Sequence, residues 1–174
     1  MKWILILSIF LCMNDKIVVF DKENNSNNWY IVNDGVMGGV STSKMNTDKT
    51  GKAIFSGEVS IENNGGFAMT RLPLDIRFDD KKSKLVIRLK GDGKEYQFRI
   101  KSERSQYFWY VQSFQTSTKI EKIELPLSEF YASFRGRKLN LDNFSGTQIK
   151  EIAILIGNKK SEAFKLEIEK IVLQ

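Results

Sequence analysis

Asp34 is the carboxylate whose neighbours look most like a site. It stands in the run Asn33-Asp34-Gly35-Val36-Met37-Gly38-Gly39-Val40-Ser41, where three glycines and a hydroxyl follow it closely. Glycines let the backbone turn tightly and come close to another group. An Asp or Ser side chain in such a loop accepts hydrogen bonds from nearby amides. The residues leave two readings open. The loop is either locked beneath Trp29 and Met37, or it grips a ligand or partner through Trp29, Asp34, Gly38, Gly39 and Ser41. It is no phosphate cradle, because neither the G-x-G-x-x-G nor the G-x-x-x-x-G-K-[ST] spacing occurs.

Other chemistry is restricted by what the chain lacks. There is no histidine, which removes the usual general base near neutral pH and the commonest metal ligand. A Ser-His-Asp or Cys-His centre cannot be built within this chain. Cys12 is the single cysteine, so no disulfide or multi-cysteine metal site can form within it. Glu58 and Glu62 share the polar face of an alternating segment, a poor place for the paired carboxylates of a glycosidase. No contiguous Asp-rich loop of the calcium-binding kind appears. The expectation is no catalytic residue, no metal and no cofactor. Binding chemistry is better served: Trp109, Tyr110, Arg71, Arg99 and Gln112 are the residue types of a sugar-binding platform. The formal charge is +6, but acidic and basic residues are interleaved, as on a solvated surface. No nucleic-acid motif accompanies the basic excess.

These groups must be positioned by strands. A chain of 174 residues suffices for one domain with a substantial core. Period-2 alternation dominates after residue 50. Ala53–Glu62 puts Ala53, Phe55, Val59 and Ile61 on one face. Phe67–Leu72 reads as its partner across the Asn63-Asn64-Gly65-Gly66 turn. Lys84–Lys90 and Glu95–Lys101 read as a hairpin through Gly91-Asp92-Gly93-Lys94. That pairing crowds Arg88, Lys90, Arg99 and Lys101 onto one outer face. Tyr107–Gln115, Ile120–Pro126, Ile149–Ile156 and Phe164–Leu173 complete the strands, the last with a bulge near Glu169-Lys170. Ser128–Phe134 reads as a helical turn or a bent strand. With Ile17–Phe20 as a first strand, the pattern predicts an all-β, two-sheet jelly-roll sandwich over residues 16–174, its termini close together.

Residues 1–15 read as an apolar leader. Met1-Lys2 gives one positive charge, and Trp3–Leu11 is apolar but too short to span a bilayer as a helix. This fits the n- and h-regions of an export signal. Cys12 stands where a bacterial lipoprotein carries its lipidated cysteine, although Leu11 precedes it instead of a small residue. The leader thus predicts export to the periplasm or outer membrane, with membrane association through it. A leader that is not a signal predicts a cytoplasmic or inner-membrane-associated protein.

The run from Trp29 to Ser41 resembles the signature of the complex I intermediate-associated protein 30 family. The resemblance continues through Phe55-Ser56-Gly57, Gly65-Gly66-Phe67-Ala68 with Arg71, and Gly91-Asp92-Gly93 leading into Tyr96-Gln97-Phe98-Arg99. It also takes in the aromatic strand Trp109–Gln115 and Pro126 with Phe130, so it covers about residues 20–173. The resemblance implies a galactose-binding-domain-like sandwich and an assembly or chaperone-like role toward NADH:ubiquinone oxidoreductase, with no catalytic residue to carry over. Two expectations stand side by side: a binding or assembly module with a protein partner, and an exported carbohydrate-binding sandwich with a glycan partner.

Overall fold

The computed structural model describes residues 16–19 and 28–174. The leader expected at residues 1–15, with Cys12, lies outside the described residues. Side chains alternate across a strand, so each strand buries one face and two sheets meet over the buried faces. The strands are β1 (Lys16–Val19), β2 (Tyr30–Ile31), β3 (Thr42–Thr47), β4 (Ala53–Val59), β5 (Ala68–Arg77), β6 (Lys84–Lys90), β7 (Glu95–Lys101), β8 (Trp109–Gln115), β9 (Ile120–Pro126), β10 (Tyr131–Phe134), β11 (Arg137–Lys138), β12 (Gln148–Ile156) and β13 (Glu162–Leu173).

A six-stranded sheet runs β3-β4-β13-β6-β9, with β1 also paired to β13. A seven-stranded sheet runs β11-β10-β8-β7-β12-β5-β2. Every pairing among the described strands is antiparallel. This is the all-β jelly-roll sandwich that the alternation predicts. Aromatic rings from both layers meet in the core. Phe55 and Phe164 of the six-stranded sheet lie 4.8 Å apart, and Tyr96 of the other sheet approaches Phe164 at 6.4 Å. Lys16 pairs with Leu173, so the first described strand and the last strand are neighbours. The register on β13 slips between Ile168 and Lys170, at the expected bulge. The Ser128–Phe134 segment is both of its alternatives in succession, a 3-10 turn at Leu127–Glu129 and then β10.

Two expected pairings are overturned. β6 and β7 do not form a hairpin: β6 pairs with β13 and β9, and β7 with β12 and β8. The Gly91–Lys94 connection is an arch between layers. The Gly91 amide donates to the Ser117 carbonyl at 3.0 Å, and a Cβ on Gly91 would collide with Thr116. Asp92 holds the arch by accepting from Lys94 Nζ, the Tyr96 hydroxyl and the Lys165 amide. Likewise β4 and β5 lie in opposite sheets, so the Asn63–Gly66 turn also crosses between layers. The expected crowd of cations is therefore split. Arg88 and Lys90 lie on the outer face of one sheet, Arg99 and Lys101 on that of the other.

Candidate functional site

The two outer faces differ in chemistry. On the six-stranded sheet, Arg88 and Lys52 pair with Glu169, Lys84 and Lys122 with Glu124, and Lys165 with Glu167. Such exposed, interleaved pairs mark a solvated surface.

The outer face of the seven-stranded sheet instead carries a second apolar cluster. Met69, Ala153 and Leu155 are buried there, with Phe67, Val32 and Trp109 packed against them. Register places Tyr30, Arg71, Ala153, Arg99, Val111 and Tyr131 in one row across β2, β5, β12, β7, β8 and β10. The adjacent row brings Glu151, Lys101 and Trp109 together.

Arg71 is the hinge of this arrangement. Its guanidinium lies 5.1 Å from the ring centroids of both Tyr30 and Trp109. It forks onto Glu151, with Nε to Oε1 at 2.8 Å and Nη2 to Oε2 at 2.7 Å. Two parallel charge-assisted bonds fix orientation as well as contact. The Tyr30 hydroxyl donates to Glu151 Oε1 at 2.7 Å. Burial, reinforced by the Glu151 charge and hydrogen bond, pushes that phenol up to about 12. Lys101 Nζ sits 4.7 Å from the Trp109 ring and 3.9 Å from Glu151. Burial lowers its pKa, and Glu151 opposes that shift. The rings are thus held rigidly by charges, while Tyr30 remains 39% exposed.

The Gly-rich loop is a different kind of structure. Asp34 is buried and accepts four hydrogen bonds: from Ser41 N at 3.1 Å, Ser41 Oγ at 2.5 Å, Gly66 N at 2.7 Å and Phe67 N at 3.3 Å. Burial alone would raise its pKa, but these donors outweigh it and hold the carboxyl below its ordinary value. Ser41 Oγ in turn accepts from Ser60 N. The knot ties the loop before β3 to the arch between β4 and β5. Gly39 and Gly65 press on the Asp34 carboxylate: a Cβ on Gly65 would lie 2.6 Å from Oδ2, and one on Gly39 would overlap the carboxyl group. Gly38, at φ +87°, makes the turn itself. Val36 and Val40 are left exposed at the rim.

The candidates are therefore scattered over the molecule. Asp34, Gly39 and Ser41 form the internal knot, with Gly38 at its turn, and Trp29 is part of the core. Arg71, Arg99 and Trp109 share the outer face of the seven-stranded sheet. Tyr110 and Gln112 point the other way along β8, where Tyr110 packs on Phe108 and Phe144 and Gln112 bonds Glu129. Glu58 and Glu62 are exposed. Sequence reasoning missed Tyr30, Lys101 and Glu151 as site residues. The one available signal was a glutamate inside the apolar run Ile149–Ile156. Among the described residues, no group of three or more His, Cys, Asp or Glu is placed to hold a metal ion. No helix among them is long and apolar enough to cross a membrane.

Comparison with known proteins fits this architecture. The family 11 carbohydrate-binding module from Clostridium thermocellum, solved with a beta-1,3-1,4-mixed-linked tetrasaccharide, superposes with a TM-score of 0.67 at 22% identity, covering 91% of this chain and 94% of that one. The same family's module from the cellulosomal cellulase Lic26A-Cel5E of Clostridium thermocellum gives 0.67 at 23% identity, covering 91% and 93%. At these identities the likeness is one of fold. The probable complex I intermediate-associated protein 30, mitochondrial, of Caenorhabditis briggsae is 28% identical over 162 residues, covering 76% of this chain and 46% of that protein. The chain thus spans about half the length of that relative. The model of the complex I intermediate-associated protein 30 family matches residues 18–168, from β1 into β13 and through both sheets, and the chain belongs to that family.

Proposed function

We propose that residues 16–174 act as one non-enzymatic binding module, an assembly helper that holds a protein partner against the outer face of the seven-stranded sheet. The observation that carries this reading is the contrast between the faces. One is laced with exposed ion pairs; the other holds an apolar cluster beside Trp109, Tyr30 and Arg71. Aromatic and arginine side chains over an apolar centre are the composition of a contact surface. The fixed rings lose little freedom when a partner docks. The carboxylates also suit binding better than catalysis: Asp34 is committed to four donors, and Glu151 to Arg71 and Tyr30. The family's name supports a protein partner among the components of NADH:ubiquinone oxidoreductase.

The test is affinity capture from membranes and soluble extract, using wild type, Trp109→Ala and Glu58→Gln. Wild type and Glu58→Gln are expected to retain a shared set of oxidoreductase subunits that Trp109→Ala loses without a change in its circular dichroism. Retention by folded Trp109→Ala overturns the assignment of the face.

A glycan is the second reading. It is favoured by Trp109 and Tyr30 lying beside hydrogen-bonding Arg71, and by the sugar-bound module of the same fold. The shared use of the Trp109 ring by Arg71 and Lys101 favours the protein partner, because a stacked sugar needs that ring. Retardation in gels containing mixed-linkage β-glucan, lost in Trp109→Ala, would support the glycan; unretarded migration counts against it.

Location is a separate proposal. The leader directs export, with Cys12 as the lipid acceptor in the lipoprotein form. Mass spectrometry of the mature N-terminus is expected to show a trimmed or lipidated chain. An intact Met1 in a cytosolic fraction overturns export.

A further inference from the structure

This inference deepens the binding reading and rests on it. The two arginines of the central row are treated differently by the fold. Arg71 has a carboxylate, Glu151, and two rings, Tyr30 and Trp109, within reach of its guanidinium. Arg99 has a neutral partner: Nε and Nη2 both donate to Gln97 Oε1, at 3.2 and 2.6 Å. Among the described residues it makes no ion pair. Glu151 is already bonded by Arg71 and Tyr30 and faces Lys101.

Arg99 is also set into an apolar floor. Its cross-strand neighbours are Ala153 and Val111, at 0% and 1% exposure. Desolvation pulls its pKa down to about 10. A charge placed in such surroundings calls for a counter-charge, and the low local dielectric strengthens the attraction for one. The two rows hold Arg71, Arg99 and Lys101 against the carboxylate of Glu151, and Lys138 lies 5.3 Å from the Tyr131 ring at the row's end.

We propose that Arg99 is the receptor for a side-chain carboxylate from an acidic segment of the protein partner. The planar fork of a guanidinium matches a carboxylate with two parallel bonds, and Lys101 adds a second positive charge. The rings decide between a protein and an acidic sugar. Trp109 is already faced by Arg71 and Lys101, and a stacked uronic acid would need that ring, whereas the carboxylate of a Glu or Asp needs only the fork.

The experiment titrates isotope-labelled chain with capped tetraglutamate, capped tetraglutamine and tetragalacturonate, following the Nε–Hε resonance of Arg99. Tetraglutamate is expected to move that resonance saturably, and tetraglutamine to leave it in place. Arg99→Gln is expected to lower affinity about tenfold, the loss of one charge-assisted pair, with an unchanged or higher melting temperature. Arg99→Lys keeps the charge but not the fork and is also expected to bind more weakly. The proposal is overturned by the absence of a saturable shift, by equal affinity in Arg99→Gln, or by tetragalacturonate binding in place of tetraglutamate. Partner capture separates the two readings. If Trp109→Ala loses the partner while Arg99→Gln keeps it, the contact face stands and the carboxylate receptor falls.

Discussion

Asp34 joins segments 32 residues apart, and its chemistry gives the account a pH test. Its carboxyl pKa is lowered in the folded state because the four hydrogen bonds outweigh burial. The stabilisation is therefore fully present above the unfolded value of about 4 and fades as pH falls through the lower folded value. Asp34→Asn turns an amide donor toward a cluster of donors and is expected to destabilise by about 2–4 kcal/mol at pH 7. Urea unfolding at pH 7 and pH 3 checks this: the gap between wild type and variant should narrow at acid pH. A constant gap would contradict the charged knot. Thr70 offers the opposite case. It is fully buried, and its hydroxyl finds no hydrogen-bond partner among the described residues. Thr70→Val keeps the shape and removes the orphan group, so thermal unfolding should show a gain of about 1 kcal/mol.

At the scale of elements, the site is a product of strand order. Arg71 and Glu151 are 80 residues apart, and Tyr30 and Glu151 are 121 apart; β5, β12 and β2 bring them together. Glu151→Leu leaves Arg71 and Lys101 without their shared counter-charge on a largely buried face. It is expected to cost about 3–5 kcal/mol, measured by denaturant unfolding. The double variant Glu151→Leu with Arg71→Met should recover most of that loss, whereas no recovery would show that the pair is not coupled. The same geometry explains what the sequence could and could not show. Lys84–Lys90, Glu95–Lys101 and Ile120–Pro126 are legible to the residue, because alternation marks which side of a strand is buried. Alternation does not mark which sheet a strand joins. Gly91-Asp92-Gly93-Lys94 looks like a hairpin turn and is an arch, because Gly91 packs on Thr116 and Asp92 bonds both layers. Arg71 and Trp109 could be nominated by residue type. Tyr30 and Lys101 could not, since their value lies in neighbours supplied by distant strands, and Glu151 is marked only as a glutamate inside an apolar run.

For the whole molecule, binding depends on which broad face meets a partner. The Asp34 knot, the Asp92 arch and the shared aromatic core lock the two layers together, so both outer faces are presented on a rigid frame. One is ordinary solvated surface; the other carries apolar area, fixed rings and excess positive charge. A site-specific photocrosslinker placed at Tyr131, on the outer face of the seven-stranded sheet, and at Lys122, on that of the six-stranded sheet, tests this directly in the cell. One discrete protein adduct is expected from Tyr131 and none from Lys122. The same adduct from Lys122, with none from Tyr131, would contradict it.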